Sequence, residues 1–455
     1  MLLMIGYIQP KSLWYAQPPF FEKPGVSFPK VIPDILLSLS LRRKEKTLQI
    51  LFFNHGGGMG KWEFAGLLYL FGSLVMSAKL TDLAETPDWK RLDRFQKSIT
   101  KQEFITKLNE VYCPRESWWV PWIEIKEDRV RICKKAGSDE WYDLHFSESN
   151  KSAGKFPKSF QISGSKILLD PGHIGGQFSE MEGRHFAIGD DEPVKEGDLA
   201  LDVALLVKTE LEIKGAVVKL TREENQPVSK SRPKDFDDLA RTWFNKVEWL
   251  HKLSEEEKSK RIKKRKELYF YRVSEIMARS QIVKRMKPDL VLCIHLNAAP
   301  WPNPDERSLV SRNDYHVLVN GCYMGGEIAY DNQRFEMIWR LVNRWDVRER
   351  FIAEHISKAF GQKTGLPAFA YKGPNALKVG EVEGVWARNL LANRIYEGPV
   401  IFLEPYIANS ETVYQRIRLG DYNGQKKIGQ KMETSLVREY AESVMFGLQQ
   451  ASNKK

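Results

Sequence analysis

Four polar residues of this 455-residue chain lie at the ends of short apolar segments or in the loops beside them. His173 follows the segment KILLD, and Glu196 precedes a stretch with helical periodicity. His295 and Glu404 close the segments LVLCIH and VIFLE. The ends of strands are where α/β folds assemble their sites. The positions of these four residues therefore predict that they meet in one site.

The four residue types suit metal-assisted hydrolysis. Two imidazoles and one carboxylate are a sufficient ligand set for a catalytic zinc ion, which keeps its fourth position for water. Zinc lowers the pKa of that water toward about 7 and thereby makes a nucleophile at neutral pH. A further carboxylate must take up the proton and later deliver it to the leaving group. A lone histidine at a strand end is more often structural, but the four residues together supply both needs.

The elements that must position these residues alternate between strand and helix from Lys166 onward. Strands are predicted at 167–169, 217–220, 289–296 and 399–403, and helices at 199–212, 274–286 and 351–360. Such alternation predicts an α/β domain with a mostly parallel central sheet flanked by helices. The predicted domain spans 166–450 and carries insertions at 228–272 and 320–350. The first insertion holds the run EEEKSKRIKKRK and is expected to be a solvated helical excursion.

A small N-terminal α+β module is predicted at 79–150, ahead of the α/β domain. Its periodicity predicts one helix across 88–111, followed by three short strands between 122 and 146. A Ser-, Gly- and Lys-rich linker is predicted at 151–165.

The order of five motifs resembles one family of zinc enzymes, the N-acetylmuramoyl-L-alanine amidases with DPGHGG and SIHANA signatures. The motifs are DPGH after a strand, Lys-Glu before a helix, Thr-Arg after a strand, IHLNA, and a strand that ends in glutamate. The likeness covers about 166–416 apart from the two insertions. Ile174, Leu296 and Pro405 depart from the family pattern, and these bulkier groups affect substrate fit more than metal binding.

This resemblance implies a role for each of the four residues. His173, Glu196 and His295 match the Zn²⁺ ligands of the family, and Glu404 matches its catalytic glutamate. The implied reaction is hydrolysis of the amide bond between N-acetylmuramic acid and L-alanine in peptidoglycan. Some family members carry a helical insertion that blocks the zinc site until a partner withdraws it. Residues 320–350 are accordingly a candidate lid for an activator protein to relieve.

Two other functions fit parts of the same pattern. A zinc peptidase or amidohydrolase acting on another cell-envelope substrate would use the same ligands. A non-catalytic wall-binding protein would keep the fold, although no ligand is missing here. Asp170 is expected to orient a ligand or turn the strand, and Asn297 to hold a substrate amide or form a turn. His185, His316 and His355 are interpreted as structural or exposed.

Composition narrows the class of partner. The chain is 42% hydrophobic with a formal net charge of +11 and a pI near 9.2, which suits an anionic partner such as a cell-wall polymer. The basic run lacks a nucleic-acid-reading motif, so no nucleic-acid partner is expected. The four cysteines include no CxxC pair, and Cys113 and Cys133 are interpreted as either a disulfide or two free thiols.

The start of the chain predicts export. Residues 59–78 combine a lysine, 15 uncharged residues and a terminal Ser-Ala, the pattern of a signal peptide. Residues 1–58 then precede a natural start at Met59 and are expected to be an upstream extension. The apolar stretch is shorter than the roughly 20 residues of a membrane span. The predicted location is the periplasm or cell envelope, with no stable membrane span.

Overall fold

A small α+β unit opens the part of the chain that the computed structural model describes, namely residues 83–148, 160–303 and 307–453. Its helical segments are a 3-10 helix Trp89–Phe95, α1 (Lys101–Lys107), a π-helical turn Leu108–Tyr112 and α2 (Glu116–Trp119). Its strands are β1 (Ile123–Ile125), β2 (Arg129–Cys133) and β3 (Trp141–His145), which pair antiparallel in that order. The predicted α+β character of this region is confirmed.

The single helix expected across 88–111 is wrong, because the chain breaks it after Phe95. Lys97 adopts a left-handed backbone conformation with φ of 57°, which a continuing right-handed helix does not allow. Thr100 then starts α1, and its side chain accepts a hydrogen bond from the Glu103 amide at 3.2 Å. Local capping and a left-handed turn thus override the apolar periodicity.

The larger part of the chain is built on a seven-stranded mixed sheet, in which four of the six neighbouring pairs are parallel. The strands that follow β3 are β4 (Lys166–Pro171), β5 (His185–Phe186), β6 (Val194–Lys195), β7 (Val217–Leu220), β8 (Leu290–Ile294), β9 (Tyr315–Val319), β10 (Leu377–Lys378), β11 (Val385–Ala387), β12 (Val400–Pro405), β13 (Gln425–Ile428) and β14 (Lys431–Thr434). The sheet order is β10-β11-β9-β12-β8-β4-β7, while β5–β6 and β13–β14 form separate hairpins. The predicted mostly parallel sheet is confirmed, with β9 and β11 running opposite to the other five strands.

Helices cover both faces of the sheet. The remaining helices are α3 (Ser179–Glu182), α4 (Glu196–Ile213), α5 (Asp237–Asn245), α6 (Glu255–Leu268), α7 (Glu275–Met286), α8 (Gly325–Ile328), α9 (Asp331–Asn343), α10 (Trp345–Thr364), α11 (Leu391–Ile395), α12 (Glu411–Arg418) and α13 (Leu436–Asn453). Buried residues of α4, α10 and α13 pack on one face of the sheet, and those of α7 and α11 pack on the other. This three-layer arrangement is the predicted α/β architecture.

The insertion at 228–272 is helical, as predicted. It contains α5 and α6, joined by short 3-10 and π-helical segments. Ser254 and Glu257 form a capping box at the start of α6, and no residue of α6 is buried. Its charged run therefore forms a solvated face.

The insertion at 320–350 contains α8 and α9 and shares a hydrophobic core with the N-terminal unit. Phe335 and Trp339 of α9 pack with Trp89, Leu108 and other apolar residues of that unit. The stretch is therefore an internal support of the small unit.

Several predictions about the N-terminal region lie outside the described residues. These are the upstream extension at 1–58, the signal peptide at 59–78 and most of the predicted linker, residues 151–159. Phe160 and Ile162, at the end of that predicted linker, are buried in the core of the large sheet. Among the described residues no helix has the length and apolarity needed to cross a membrane. All four cysteines are buried and free, so Cys113 and Cys133 are two thiols and not a disulfide.

Candidate metal centre

The candidate site lies at the carboxyl ends of β4, β8 and β12, which are parallel neighbours in the sheet. Residues two apart on a strand share a face. Val291, Cys293, Val400 and Phe402 all point into the layer covered by α7 and α11. The alternation continues to His295 and Glu404, which emerge on the same face at adjacent strand ends. The parallel register thus brings together residues that are 109 positions apart in the sequence.

Three of the four predicted residues converge on one point. One ligand atom from each of His173, Glu196 and His295 lies within 4.8 Å of the other two. The Glu196 Oε1 atom is 3.2 Å from Nε2 of His173 and 3.0 Å from Nδ1 of His295. The two imidazole rings stand nearly perpendicular, with their centroids 5.0 Å apart. Such a cluster of two nitrogens and one oxygen fits a tetrahedral metal ion with one open position.

A constrained loop presents His173. Its backbone is left-handed, with φ of 57°, which is uncommon for a residue with a side chain. Its carbonyl oxygen accepts hydrogen bonds from Arg222 Nε at 2.8 Å and from Arg279 Nη2 at 2.6 Å. The two guanidinium groups therefore stabilise a backbone conformation that costs free energy by itself.

The same two arginines bind the rest of this loop. Arg222 donates to the carbonyl oxygens of Gly172 and Gly197, and Arg279 donates to that of Pro171. Arg222 thereby links the loop after β4 to the first turn of α4, where Glu196 lies. Two candidate metal ligands from different elements, His173 and Glu196, are therefore held in a fixed relation by one side chain.

Asp170 supports the site indirectly. Its carboxylate accepts hydrogen bonds from Thr221 at 2.5 Å, from Arg279 at 2.9 Å and from Tyr396 at 2.9 Å. Burial by itself would raise its pKa, but Arg279 and these hydrogen bonds hold the pKa below its ordinary value. Asp170 therefore anchors Arg279, and Arg279 positions the His173 loop.

Glu182 is the carboxylate that faces the far side of the His173 ring. Its Oε1 atom lies 3.6 Å from His173 Nδ1, and both of its oxygens accept the Ile174 amide at 3.0 and 3.1 Å. A carboxylate behind a metal-binding imidazole orients the ring and makes it a better ligand. Nothing in the sequence distinguishes Glu182 from its acidic neighbour Glu180, so only the fold could identify it.

The charges of His173 and Glu196 shift each other's pKa values. Burial by itself would raise the pKa of Glu196, but the charge of His173 and hydrogen bonds from both histidines hold it well below its ordinary value. Burial likewise opposes protonation of His173, but Glu196 and Glu182 raise its pKa. The carboxylate is therefore ionised at neutral pH and ready to bind a cation.

Glu404 lies beside this cluster and is only 5% exposed. Its Oε2 atom is buried and has no hydrogen-bond partner within the described residues. Burial, reinforced by the nearby charge of Glu196, raises its pKa above the ordinary carboxyl value, although His295 acts in the opposite direction. A buried carboxylate oxygen without a hydrogen-bond partner costs folding free energy, and such groups are concentrated at functional sites.

The other polar residues considered from the sequence occupy different roles. Asn297 accepts the Ala298 amide at 2.8 Å and so fills the turn role. His355 binds the Phe351 carbonyl of its own helix at 2.7 Å, as a structural histidine does. His316, in contrast, lies directly opposite Glu404 in the β9–β12 pair.

Arg279 and Glu182 are the supporting residues that the motif pattern did not reveal. Arg279 left a weak signal, because it lies between Ile276 and Val283 on the inward face of α7. A charge in that position indicates a buried partner on the adjacent layer.

Comparison with known proteins matches most of the sheet domain to one protein family. A family model described as N-acetylmuramoyl-L-alanine amidase matches residues 167–437. No curated protein matches the chain significantly.

Solved structures with similarity to this chain include three amidases of low identity. Ami1, an N-acetylmuramyl-L-alanine amidase from Mycobacterium smegmatis, is 13% identical with a TM-score of 0.36, and the match covers 65% of this chain and 100% of that one. The amidase CwlD from Clostridioides difficile, solved in complex with the lipoprotein GerS, is 14% identical with a TM-score of 0.34 over 63% and 98% of the two chains. AmiC2 of Nostoc punctiforme, an N-acetylmuramoyl-L-alanine amidase, is 15% identical with a TM-score of 0.35 over 64% and 99%.

Proposed function

We propose, since this chain belongs to the N-acetylmuramoyl-L-alanine amidase family, that it is a zinc enzyme cleaving the bond between N-acetylmuramic acid and L-alanine in peptidoglycan. The observation that carries the proposal is the cluster of His173, Glu196 and His295, whose ligand atoms lie within 4.8 Å of one another beside Glu404. Membership of this family shows that the chain is an amidase. The zinc ion and the choice of bond are the proposed details.

The residues present fit a zinc ion. Neutral imidazoles and a carboxylate are borderline ligands that zinc accepts readily. His173, Glu196 and His295 would hold the ion, and Glu182 would orient the first of them. When bound, the ion would lower the pKa of a water molecule and polarise the scissile carbonyl group.

Glu404 is the proposed proton carrier. As a carboxylate it accepts a proton from the attacking water, whose oxygen forms a bond to the carbonyl carbon of the lactyl group. It then delivers that proton to the amide nitrogen as the carbon–nitrogen bond breaks. The products are a lactyl carboxylic acid on the sugar and a peptide with a free L-alanine amino group. Burial of Glu404 supports this role, because a raised pKa makes a carboxylate both a better base and a usable acid.

The proposed place of action is the periplasm or another part of the cell envelope. Peptidoglycan is located there, and export would use the signal peptide predicted at 59–78. The net charge of +11 also favours contact with an anionic wall polymer.

For regulation, we propose that any activator protein acts on residues 83–148 and 320–350 as one body. Arg334 of α9 is buried and donates to the Cys133 carbonyl of β2 at 2.6 Å, and Arg344 bonds both oxygens of Glu103 in α1. A lid at 320–350 that moved alone would break these bonds and expose Phe335 and Trp339. An activator that relieves a lid would therefore have to move the small unit together with α9.

The test is turnover of the purified chain on peptidoglycan, with products identified by mass. We expect intact stem peptides beginning with L-alanine, with release that stops on chelation and returns with zinc. Cleavage within the peptide would instead indicate a zinc peptidase. Zinc binding and wall binding without any cleavage would indicate a non-catalytic wall-binding protein, and a folded chain that binds no zinc would contradict the central proposal.

A further inference from the structure

The strand opposite Glu404 carries a second buried polar residue. His316 of β9 pairs in register with Glu404 of β12 in an antiparallel pair. Directly opposed residues of such a pair project their side chains to the same face, with Cβ atoms roughly 5 Å apart. His316 is 1% exposed, and burial together with Arg388 and Arg312 lowers its pKa to about 3. It is therefore a neutral imidazole beside the proposed proton carrier.

The loop after α10 brings Tyr371 onto this histidine. The loop pairs with the start of β9 through the Phe369 amide, which donates to the Tyr315 carbonyl at 2.8 Å. The Tyr371 hydroxyl then lies 3.0 Å from His316 Nε2. Its ring packs edge-on against Trp386 and His316, with centroids 5.4 and 5.3 Å away. The hydroxyl is thus fixed in place on the Glu404 side of the cluster.

Arg388 supplies a second contact to the same oxygen. Its Nη1 atom donates to the Tyr371 hydroxyl at 3.3 Å, and a guanidinium group can only donate. The other ring nitrogen of His316, Nδ1, is buried without a hydrogen-bond partner in the described part of the chain. Buried N–H groups without partners are rarer than buried acceptors without partners. The favoured tautomer therefore carries its hydrogen on Nε2 and donates to Tyr371 as well.

With both lone pairs of its oxygen occupied, Tyr371 keeps its own proton for another acceptor. Two incoming hydrogen bonds polarise a hydroxyl and strengthen it as a donor. Burial raises the pKa of Tyr371 to about 12, and the proximity of Glu404 adds to this effect, so the phenol stays protonated at neutral pH. The residue as a whole remains partly accessible to solvent.

We propose that the Tyr371 hydroxyl, oriented by His316 and Arg388, is a further catalytic group that donates a hydrogen bond to the substrate beside Glu404. Its acceptor is a substrate oxygen that gains negative charge as the amide bond is broken. The inference rests on the proposed amidase function, because it assigns the residue to that reaction. Tyr371 is the catalytic group here, and His316 is a positioning residue that acts through it.

The test compares full-length variants on a soluble muropeptide in which N-acetylmuramic acid carries an L-alanyl peptide. We expect Tyr371→Phe to lower kcat roughly 100-fold, as removal of a donor to a developing oxyanion does, with little change in KM. Its metal content and melting temperature should match the wild type. Tyr142→Phe is the control, because it removes a bonded hydroxyl from β3 in the small unit and should leave kcat unchanged.

A double-mutant cycle tests the role of His316. We expect His316→Leu to lower kcat in the wild-type background but not in the Tyr371→Phe background. His316→Gln, whose side-chain amide can still donate to Tyr371, should recover part of the loss. An unchanged kcat in Tyr371→Phe, a change confined to KM, or additive losses in the cycle would overturn the inference.

The experiment distinguishes failure of the proposed function from failure of the proposed role of Tyr371. A wild-type chain that binds metal but releases no peptide contradicts the proposed function. An active wild type with an equally active Tyr371→Phe variant contradicts only the role of Tyr371. If Tyr371→Phe fails to fold, equal kcat values for His316→Leu and His316→Gln overturn the proposal.

Discussion

At the scale of single residues, the candidate centre is a group of buried charges whose states depend on one another. Glu196 is ionised because two imidazoles face it, while Glu404 is pushed toward its protonated form by burial and by Glu196. Two carboxylates whose pKa values are shifted in opposite directions are typical of an acid–base pair with divided roles. Here one carboxylate is suited to hold a cation and the other to carry a proton.

Replacement of Glu404 by glutamine separates these two roles. We expect Glu404→Gln to retain stoichiometric zinc, because the three ligands are intact, and to lose turnover by roughly 100-fold or more. Metal content by mass spectrometry and peptide release measure the two effects. Glu255→Gln on the exposed helix α6 is the matched control. Full activity of Glu404→Gln would remove this residue from the reaction.

His316 makes a prediction about stability and pH. Its folded-state pKa is lowered to about 3, whereas an unfolded chain titrates histidine near 6.5. Between these values the unfolded state binds the extra proton, so stability present above about pH 6.5 is lost as pH falls toward about 3. The glutamine variant lacks this loss.

The comparison is urea unfolding of wild type and His316→Gln at pH 7 and 4.5. The wild type should lose up to about 2.7 kcal/mol more than the variant between these pH values, since each pKa unit corresponds to about 1.4 kcal/mol. The titration of other histidines contributes equally to both proteins and cancels. Equal losses in the two proteins would show that His316 titrates normally in the folded state.

At the scale of elements, the loop after β4 is the least tolerant part of the site. The Gly172 backbone passes so close to the His295 ring that an added Cβ would lie 2.5 Å from Nδ1 and 2.7 Å from Nε2. The positions of both His173 and His295 thus depend on this one close approach of the Gly172 backbone. Glycine at this position is required by packing and not by its backbone angles.

We expect Gly172→Ala to displace His295 and to weaken zinc binding roughly 10- to 100-fold, the range found when the support of a metal ligand is lost. Competition with a chromogenic chelator measures the affinity. Gly326→Ala in α8 is the control, because an added Cβ there meets no atom within 4 Å. Unaltered zinc affinity in Gly172→Ala would show that the loop can move away from His295.

At the scale of the whole molecule, the small N-terminal unit packs against residues 320–350 and shares a hydrophobic core with them. Lys107 of α1 pairs with Asp346 at 2.6 Å, and both groups are largely buried. The Gly321 backbone lies against the Val111 carbonyl, and the Cys322 amide donates to that carbonyl at 2.8 Å. The boundary between the two parts of the chain therefore runs through a closed hydrophobic core.

A chain that begins at residue 160 should consequently be unstable. Removal of residues 83–148 would expose Phe335, Trp339 and Tyr323, each of which contributes roughly 1.5–3 kcal/mol by burial. We expect aggregation, or a melting temperature more than about 10 °C below that of the full chain. Size-exclusion chromatography and thermal melts provide the measurement. Equal melting temperatures would show that the sheet domain folds independently of the small unit.

The sequence by itself determined the class of fold and predicted four central residues, of which the structure brings His173, Glu196 and His295 into one cluster. Local hydrophobic periodicity indicates the alternation of strands and helices, and a strand end is recognisable where an apolar run meets a polar residue. The matching family model and the confirmed sheet show that this local information was sufficient for the class of fold. The predicted signal peptide and the assigned roles of the four residues stay predictions.

Only the tertiary structure decided how the site is supported. Glu182 behind His173, Arg279 beneath the metal loop and Tyr371 on His316 are all buried or half-buried polar contacts. Tyr371 and His316, for example, are 55 positions apart, and neither stands in a distinctive local pattern. Pairing of buried polar groups depends on which elements pack together, and the same residue types at the same spacing would be solvated in another fold. That dependence on long-range packing is the physical reason why the chemistry was readable from the sequence and its support was not.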